Sequence, residues 1–421
     1  PIKIGVIGPM NFIQGQGMWE GATLAAEEIN ATGGINVSGV LRPIELYSGN
    51  EYAYPDNSNA SAAEMERLIT DVGVNFVVGG FRTSNVFAMR EVAMDNKTIF
   101  ILTGAATNEL IDCNNAYDPD GLGPIPPGPC LNYTGGCVRC NYTRYKYMFR
   151  VAPVNGSMIA RSLWAFNRFV LEDVLLPIYG EYLWPGAPNK QVKVAVVSEN
   201  LPWANVLHWY MTNQSVYPNP QVLGPYANVT YSARLPWNGT DFSAYLTAIR
   251  NSGARLIIHV FVAEAARTFI KQWGDMEIEA VPVGIDVISQ RNEMWNYTSG
   301  KCEYETFLAS SGKRTPITNL SIPFWDAYVS RWGHDPIYTA FGTYNAIYAL
   351  KEAIERAGTT DSDAVVTELE QTDRMSTTGK FKFTQYHDFF CNEIGSTWTQ
   401  GYSRPFVCQW QTGRLEVIWP A

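Results

Sequence analysis

The sequence predicts an α/β protein of two lobes, each built on a parallel β-sheet. Three observations carry this. At 421 residues the chain exceeds what a single compact core serves, so two domains are expected. The first part of the chain alternates short apolar runs with amphipathic stretches, the strand–helix rhythm of a parallel sheet. After an irregular, cysteine-rich break the same rhythm resumes near residue 157.

The elements follow in order. The opening run "IKIGVIG" (2–8) is continuously apolar apart from Lys3, as suits a strand buried on both faces. "GATLAAEEIN" (21–30) is amphipathic, and Gly33 and Gly34 end it. Residues 43–47 read as a strand, and 60–69 as a helix with Met65 and Leu68 on its apolar side. "NFVVG" (75–79) is a third strand, a helix capped by Thr83 or Ser84 runs to about residue 95, and 98–102 form a fourth strand. Residues 113–146 have no period and hold four cysteines, so they read as an inserted, disulfide-stapled surface loop. In the second lobe, helices are expected over 157–170, 203–211, 241–251 and 264–273, and strands over 192–197, 255–262 and 281–285. An irregular stretch at 288–318 precedes helices near 322–332, 337–357 and 362–371, and strand-like runs at 380–383, 406–410 and 415–419. The chain is expected to cross between lobes near 151–155, 284–287 and 375–379. Lobe one is then 1–152 with 286–376, and lobe two is 153–285 with 377–421. Several crossings make a hinge that closes over a cleft.

Composition narrows the function. A net charge of -9 argues against nucleic acid, and no apolar run reaches the length of a membrane span. The 23 tyrosines and 13 tryptophans suit aromatic-lined clefts. The chain opens at Pro1 directly on a strand, with no signal peptide visible, so a mature or trimmed chain is expected. Twelve asparagines between Asn30 and Asn319 open N-x-S/T, about threefold the chance number. Cys113, Cys130, Cys137 and Cys140 crowd one segment, while Cys391 and Cys408 flank a late hairpin. Six of the seven cysteines can pair, leaving Cys302 odd. Both features point outside the cytoplasm. Zinc or redox chemistry at Cys137 and Cys140 lacks a second CxxC and a nearby histidine.

Catalytic templates are absent. There is no G-x-S-x-G elbow, no phosphate loop, and no H-E-x-x-H among His208, His259, His334 and His387. Gly15, Gly17 and Gly21 approach a dinucleotide fingerprint with the third glycine one place late, and a flexible loop into the first helix explains them equally. No enzyme, no cofactor and no metal is therefore expected.

What remains is ligand-holding character at C-terminal strand ends, where open α/β sheets bind. "GGFRTS" closes the third strand and "TGAATN" the fourth. Hydroxyls of Thr83 or Ser84 and amides of Ala106 and Thr107 could share one carboxylate, or Thr83 and Thr107 could simply cap helices. The small Gly104, Ala105 and Ala106 would let the ligand approach those amides. Asp286, after "VPVGI", could take an ammonium group or cap a turn. Trp203 could cover a ligand or pack on the lobe. Phe261 and His259 could line the opposite wall, with His259 equally an interior residue.

The stretches "IKIGVIGP", "GATLAAEEINATGGI", "VNFVVGG", "ILTGAATNEL", "YMFRVAP", "VKVAVVSEN", "ARLIIHVFV" and "TTGKFKF", in this order, give a resemblance. The chain resembles the type I periplasmic-type solute-binding proteins of branched-chain amino acid ABC importers over nearly its whole length. The resemblance implies two Rossmann-like lobes joined by a three-strand hinge, closing on a small ligand. It implies delivery of that ligand to an ABC permease in the membrane, by a monomer that is periplasmic or extracellular and membrane-anchored. Carried over residue by residue, it puts the carboxylate on Thr83, Ala105, Ala106 and Thr107 and the amino group on Asp286. Trp203 becomes the cover and Phe261 a wall. Arg82 is a departure that could add a positive partner for a larger ligand, and the family also takes aromatic acids, amides and urea. A ligand-sensing receptor ectodomain of the same fold is the alternative, and an α/β enzyme a remote one.

Overall fold

Short, uniformly apolar runs pair in parallel because both faces of each strand are covered by helices. The first sheet holds β1 (Ile2–Gly8), β2 (Ile44–Asn50), β3 (Phe76–Gly79), β4 (Ile99–Leu102) and β5 (Met148–Arg150), in the order β2-β1-β3-β4-β5, all parallel, with β3 and β4 apolar throughout and the edge strand β2 carrying exposed Glu45 and Ser48. The winding direction reverses between β1 and β3, so the crevice beyond their C-terminal ends is the natural ligand position. The computed structural model describes residues 1–111, 136–151, 155–212, 223, 225–311, 313–392 and 399–419.

Helices Ile13–Ala31 and Tyr338–Ala357 pack closely because Gly21 lies at their contact. A Cβ there would come 2.3 Å from the Ala340 carbonyl oxygen, and one on Gly15 would come equally close to the Pro9 carbonyl. These glycines sit inside a helix and serve packing, so the loop expected for them is corrected.

The second sheet repeats the winding. Its main strands are β6 (Lys190–Glu199), β7 (Ala227–Leu235), β8 (Leu256–Phe261), β9 (Val281–Asp286), β10 (Thr306–Ala309), β11 (Phe406–Gln411) and β12 (Arg414–Trp419), and the short strand Glu181–Tyr182 pairs antiparallel with β6. Their order is β7-β6-β8-β9-β10-β11-β12, with the first five parallel and the last two added antiparallel. Val192, Val194, Val196, Ile258, Val260 and Leu308 fill one side of it. Each such side chain contributes about 1.5–3 kcal/mol on burial.

The chain divides into two units, Pro1–Ser157 with Arg314–Asn392 and Trp398–Arg404, and Met158–Lys313 with Glu393–Thr397 and Pro405–Ala421. The boundaries expected from the sequence shift accordingly. Residues 288–318 hold β10, whose pairing with β9 and β11 keeps the chain in the second unit up to Lys313. Hairpin Asp373–Ser376/Gly379–Lys382 keeps the following stretch in the first unit up to Asn392.

Cys113, Cys130 and most of the inserted segment lie outside the described residues. Cys137 is disulfide-bonded. Cys302 and Cys408 are buried thiols, which corrects the expectation that Cys408 is paired. Of the sequon asparagines, Asn30 is committed to the fold, because its amide donates to Ile44 O and accepts from Ile44 N.

Candidate functional site

In the first unit β3 ends in Gly79 and Gly80, at φ +121° and +80°. Only glycine takes this turn without strain, and a Cβ on Gly79 would lie 2.0 Å from Ile7 O. The turn swings the Phe81 and Arg82 amides onto the Glu51 carboxylate, at 2.7 and 2.5 Å. Burial pushes the Glu51 carboxyl up to about 8, opposed by those two amides and by the charge of Arg82.

Beyond that turn helix Thr83–Asp95 begins without a side-chain cap. Among the described residues nothing accepts from the amides of Thr83, Ser84 or Asn85. A helix start in this state attracts an anion. The end of β4 lies alongside, joined by a 2.6 Å hydrogen bond between the Thr83 and Thr107 hydroxyls. The Ala106 and Thr107 amides likewise have no acceptor among the described residues.

Arg150, at the end of β5, explains why those two amides are spare. Its buried guanidinium donates to Ala106 O at 2.8 Å, Thr107 O at 2.9 Å and Ala105 O at 3.3 Å, and pairs with Asp388 at 3.1 Å. Burial lowers its pKa, while Asp388 and Glu109 hold it up. In a trans peptide the N–H points opposite to the C=O. Carbonyls drawn to Arg150 therefore turn the Ala106 and Thr107 amides the other way. Neither Glu51 nor Arg150 was picked out from the sequence.

Several expected roles are corrected by this geometry. The Arg82 guanidinium is bound to Asp56 and lies 4.9 Å over the Tyr54 ring, so it is committed within the fold. The Ser84 hydroxyl donates to Asp56 at 2.7 Å, which leaves Ser84 only its amide to offer. Ala105 is buried and its amide donates to Gly80 O at 3.0 Å. Gly104 is small for the protein's own sake, since a Cβ would meet Gly80 O at 2.7 Å and Met18 Cε at 2.6 Å.

In the second unit Glu199, at the end of β6, plugs the equivalent reversal. Its Oε2 accepts from the Val262 and Ala263 amides, both at 3.1 Å, and its Oε1 from the Trp203 indole at 2.5 Å. Arg234 stands beside it, donating to Ser198 Oγ, Leu201 O and the Asn205 side chain. Burial and Arg234 together push His208 down to about 4. Phe261 is fully buried against Phe269, with ring centroids 5.2 Å apart, so it is a core residue and not a wall.

Asp286 is also fully buried. Its Oδ1 accepts from the Ile288 and Ser289 amides, so it caps its own turn. Burial raises its pKa well above the usual carboxylate range, and nearby Glu305 adds to this. Of the two roles the sequence leaves open for Asp286, the geometry shows the turn cap, with the side chain closed to solvent.

A model of the family described as periplasmic binding protein matches residues 1–117 and 223–391, more than half of the chain. The chain belongs to this family. This periplasmic binding protein is 36% identical over 113 residues to an "Amino acid binding protein" of Pseudomonas aeruginosa, a match covering 26% of the chain and 28% of that relative's length. It is 22% identical over 422 residues to "Leu/Ile/Val-binding protein homolog 1" of Brucella melitensis biotype 1, covering 98% of the chain and 90% of the relative. Among solved structures it is similar to the branched-chain amino acid transporter substrate-binding protein LivJ of Streptococcus pneumoniae, crystallised with isoleucine. There the TM-score is 0.72 at 18% identity over 99% of both chains. The likeness shows the fold, that of the type I periplasmic binding proteins. The family and these structural neighbours are solute-binding proteins, not enzymes.

Proposed function

We propose that this protein is the solute-binding component of an ABC importer and that its first unit holds the carboxylate of the ligand. The reading rests on the paired Thr83 and Thr107 hydroxyls, flanked by the uncommitted amides of Thr83, Ser84, Asn85, Ala106 and Thr107. Backbone amides around hydroxyls favour an anionic oxygen over any neutral group. The Brucella and Streptococcus relatives make a branched-chain amino acid the first candidate. With Asp286 buried, the common element of the ligand is its carboxylate, and aromatic acids satisfy the same donors. The partners are then the small carboxylate and a membrane permease. No helix among the described residues is long and apolar enough to cross a membrane.

Thr107 offers a sharp test. Its φ of -59° suits proline, and its amide bonds nothing among the described residues. Thr107→Pro therefore deletes the donor at little cost to the backbone. Calorimetric titration with leucine, isoleucine, valine, benzoate and leucinamide should show binding of at least one carboxylate and none of leucinamide. Thr107→Pro should weaken the bound carboxylate by about tenfold or more, the value of one or two charge-assisted hydrogen bonds. Equal binding of leucine and leucinamide would sink the carboxylate reading. So would unchanged affinity in the proline variant.

A further inference from the structure

A cluster the ligand reading does not use lies inside the second unit. His259 is in β8, Asp286 ends β9, and Glu305 directly precedes β10, three strands that are neighbours in the sheet. All three side chains are fully buried. Their donor atoms lie within 4.8 Å of one another, with His259 Nε2 3.4 Å from Glu305 Oε1.

Half of each carboxylate is already anchored. Asp286 Oδ1 is held by the Ile288 and Ser289 amides at 2.8 and 3.2 Å, and Glu305 Oε2 by the Ser289 hydroxyl at 2.6 Å. The other half is spare. Asp286 Oδ2, Glu305 Oε1 and His259 Nε2 are buried and find no hydrogen-bond partner outside the cluster itself. Buried polar atoms are almost always satisfied, and each one left bare costs about 1–3 kcal/mol. Among the described residues no lysine or arginine pairs with either carboxylate. Two acids and an imidazole thus turn their unused atoms toward one another with no cation between them.

We propose that His259, Asp286 and Glu305 form a structural site for one divalent transition-metal ion of the zinc or manganese class. The donor set is one imidazole nitrogen and two carboxylate oxygens, which suits such ions. It offers too few oxygens for calcium and no thiolate for copper(I). Such ions sit about 2.0–2.2 Å from nitrogen and oxygen ligands, so the donors, now within 4.8 Å of one another, would draw together around the ion. Ser289, bonded to both carboxylates, sets their orientation as an outer-shell partner does. The metal would tie β8, β9 and β10 together and would be taken up as the unit folds, because the donors are closed to solvent. This proposal stands apart from the ligand reading and either can fail alone.

The experiment is refolding of the whole protein from guanidinium chloride with ZnCl2 or MnCl2 or with EDTA, followed by desalting and elemental analysis. The expected result is about one equivalent of zinc or manganese per chain and a raised unfolding midpoint. Glu305→Gln and Asp286→Asn each keep an oxygen for their existing hydrogen bonds, and each should lose the metal with a native circular dichroism spectrum. If Asp286→Asn does not refold, Glu305→Gln decides alone. Wild-type protein that retains no more metal than Glu305→Gln overturns the site, leaving a proton-sharing acid pair. Metal retained undiminished in Glu305→Gln also overturns it.

Discussion

The two units solve the same topological problem with the same device and end with different surfaces. Each sheet reverses its winding beside its first strand, and at each reversal the chain's own glutamate takes the amides that follow the next strand. In the first unit Glu51 takes Phe81 and Arg82, and in the second Glu199 takes Val262 and Ala263. The anion position that topology offers is therefore filled from within in both. What differs is the next strand along. The end of β4 keeps spare amides at Ala106 and Thr107 because Arg150 draws the carbonyls away. The end of β9 closes on itself, since Asp286 caps its own turn. Topology alone thus does not say where a ligand is held. The allocation of a few buried charges decides it.

The largest effect should come from removing the charge that creates the difference. Arg150→Met removes the buried ion pair with Asp388 and three hydrogen bonds to carbonyls, at a cost of about 3–5 kcal/mol for a broken buried pair. Arg234 is its counterpart in the second unit but is only half-buried. Arg234→Met should cost about 1–2 kcal/mol. Urea unfolding of both variants would test the contrast, and equal losses would mean that Arg150 is not the keystone of the β4 end.

These buried charges are also what the sequence hides. Mostly apolar runs such as "VKVAVV" and "RLIIHVFV" announce β6 and β8, because a strand covered on both faces buries nearly every side chain it carries. β7 went unread because it lies at the sheet edge and "ANVTYSARL" mixes polar with apolar residues. β10 is only four residues long, below the length at which a period shows. The donors at Thr83, Ala106 and Thr107 were legible as bare strand ends. Glu51, Arg150 and Glu199 were not, since each reads locally as an ordinary surface charge. Their partners come from distant segments, as with Glu199 and Val262, 63 residues apart.

A smaller effect is expected from pH at the first plug. The Glu51 carboxyl rises from a usual 4.5 to about 8, chiefly by burial. The folded state then binds more protons than the unfolded state between those values. The contribution is fully present below about pH 4.5 and is lost as pH rises through about 8. Glu51→Gln should remove that part of the pH dependence. Denaturant midpoints at pH 5 and pH 8.5 should differ less in the variant than in the wild type, and an equal difference would refute the assignment.

The smallest effects are expected at Ser84 and Trp203, and they ask whether either residue meets the ligand at all. The Ser84 hydroxyl is spent on Asp56, so Ser84→Ala should leave carboxylate affinity within about twofold and stability within about 0.5 kcal/mol. Thr107→Val at the neighbouring strand end should lose about tenfold, since it removes a hydroxyl from the donor set while keeping the amide. The Trp203 indole is tied to Glu199, and Trp203→Phe keeps an apolar face while losing that bond, at about 1 kcal/mol for a partly buried site. If affinity falls in Ser84→Ala as far as in Thr107→Val, the ligand lies nearer the helix start than the β4 end. The asymmetry between the two strand ends would then be a matter of packing and not of recognition.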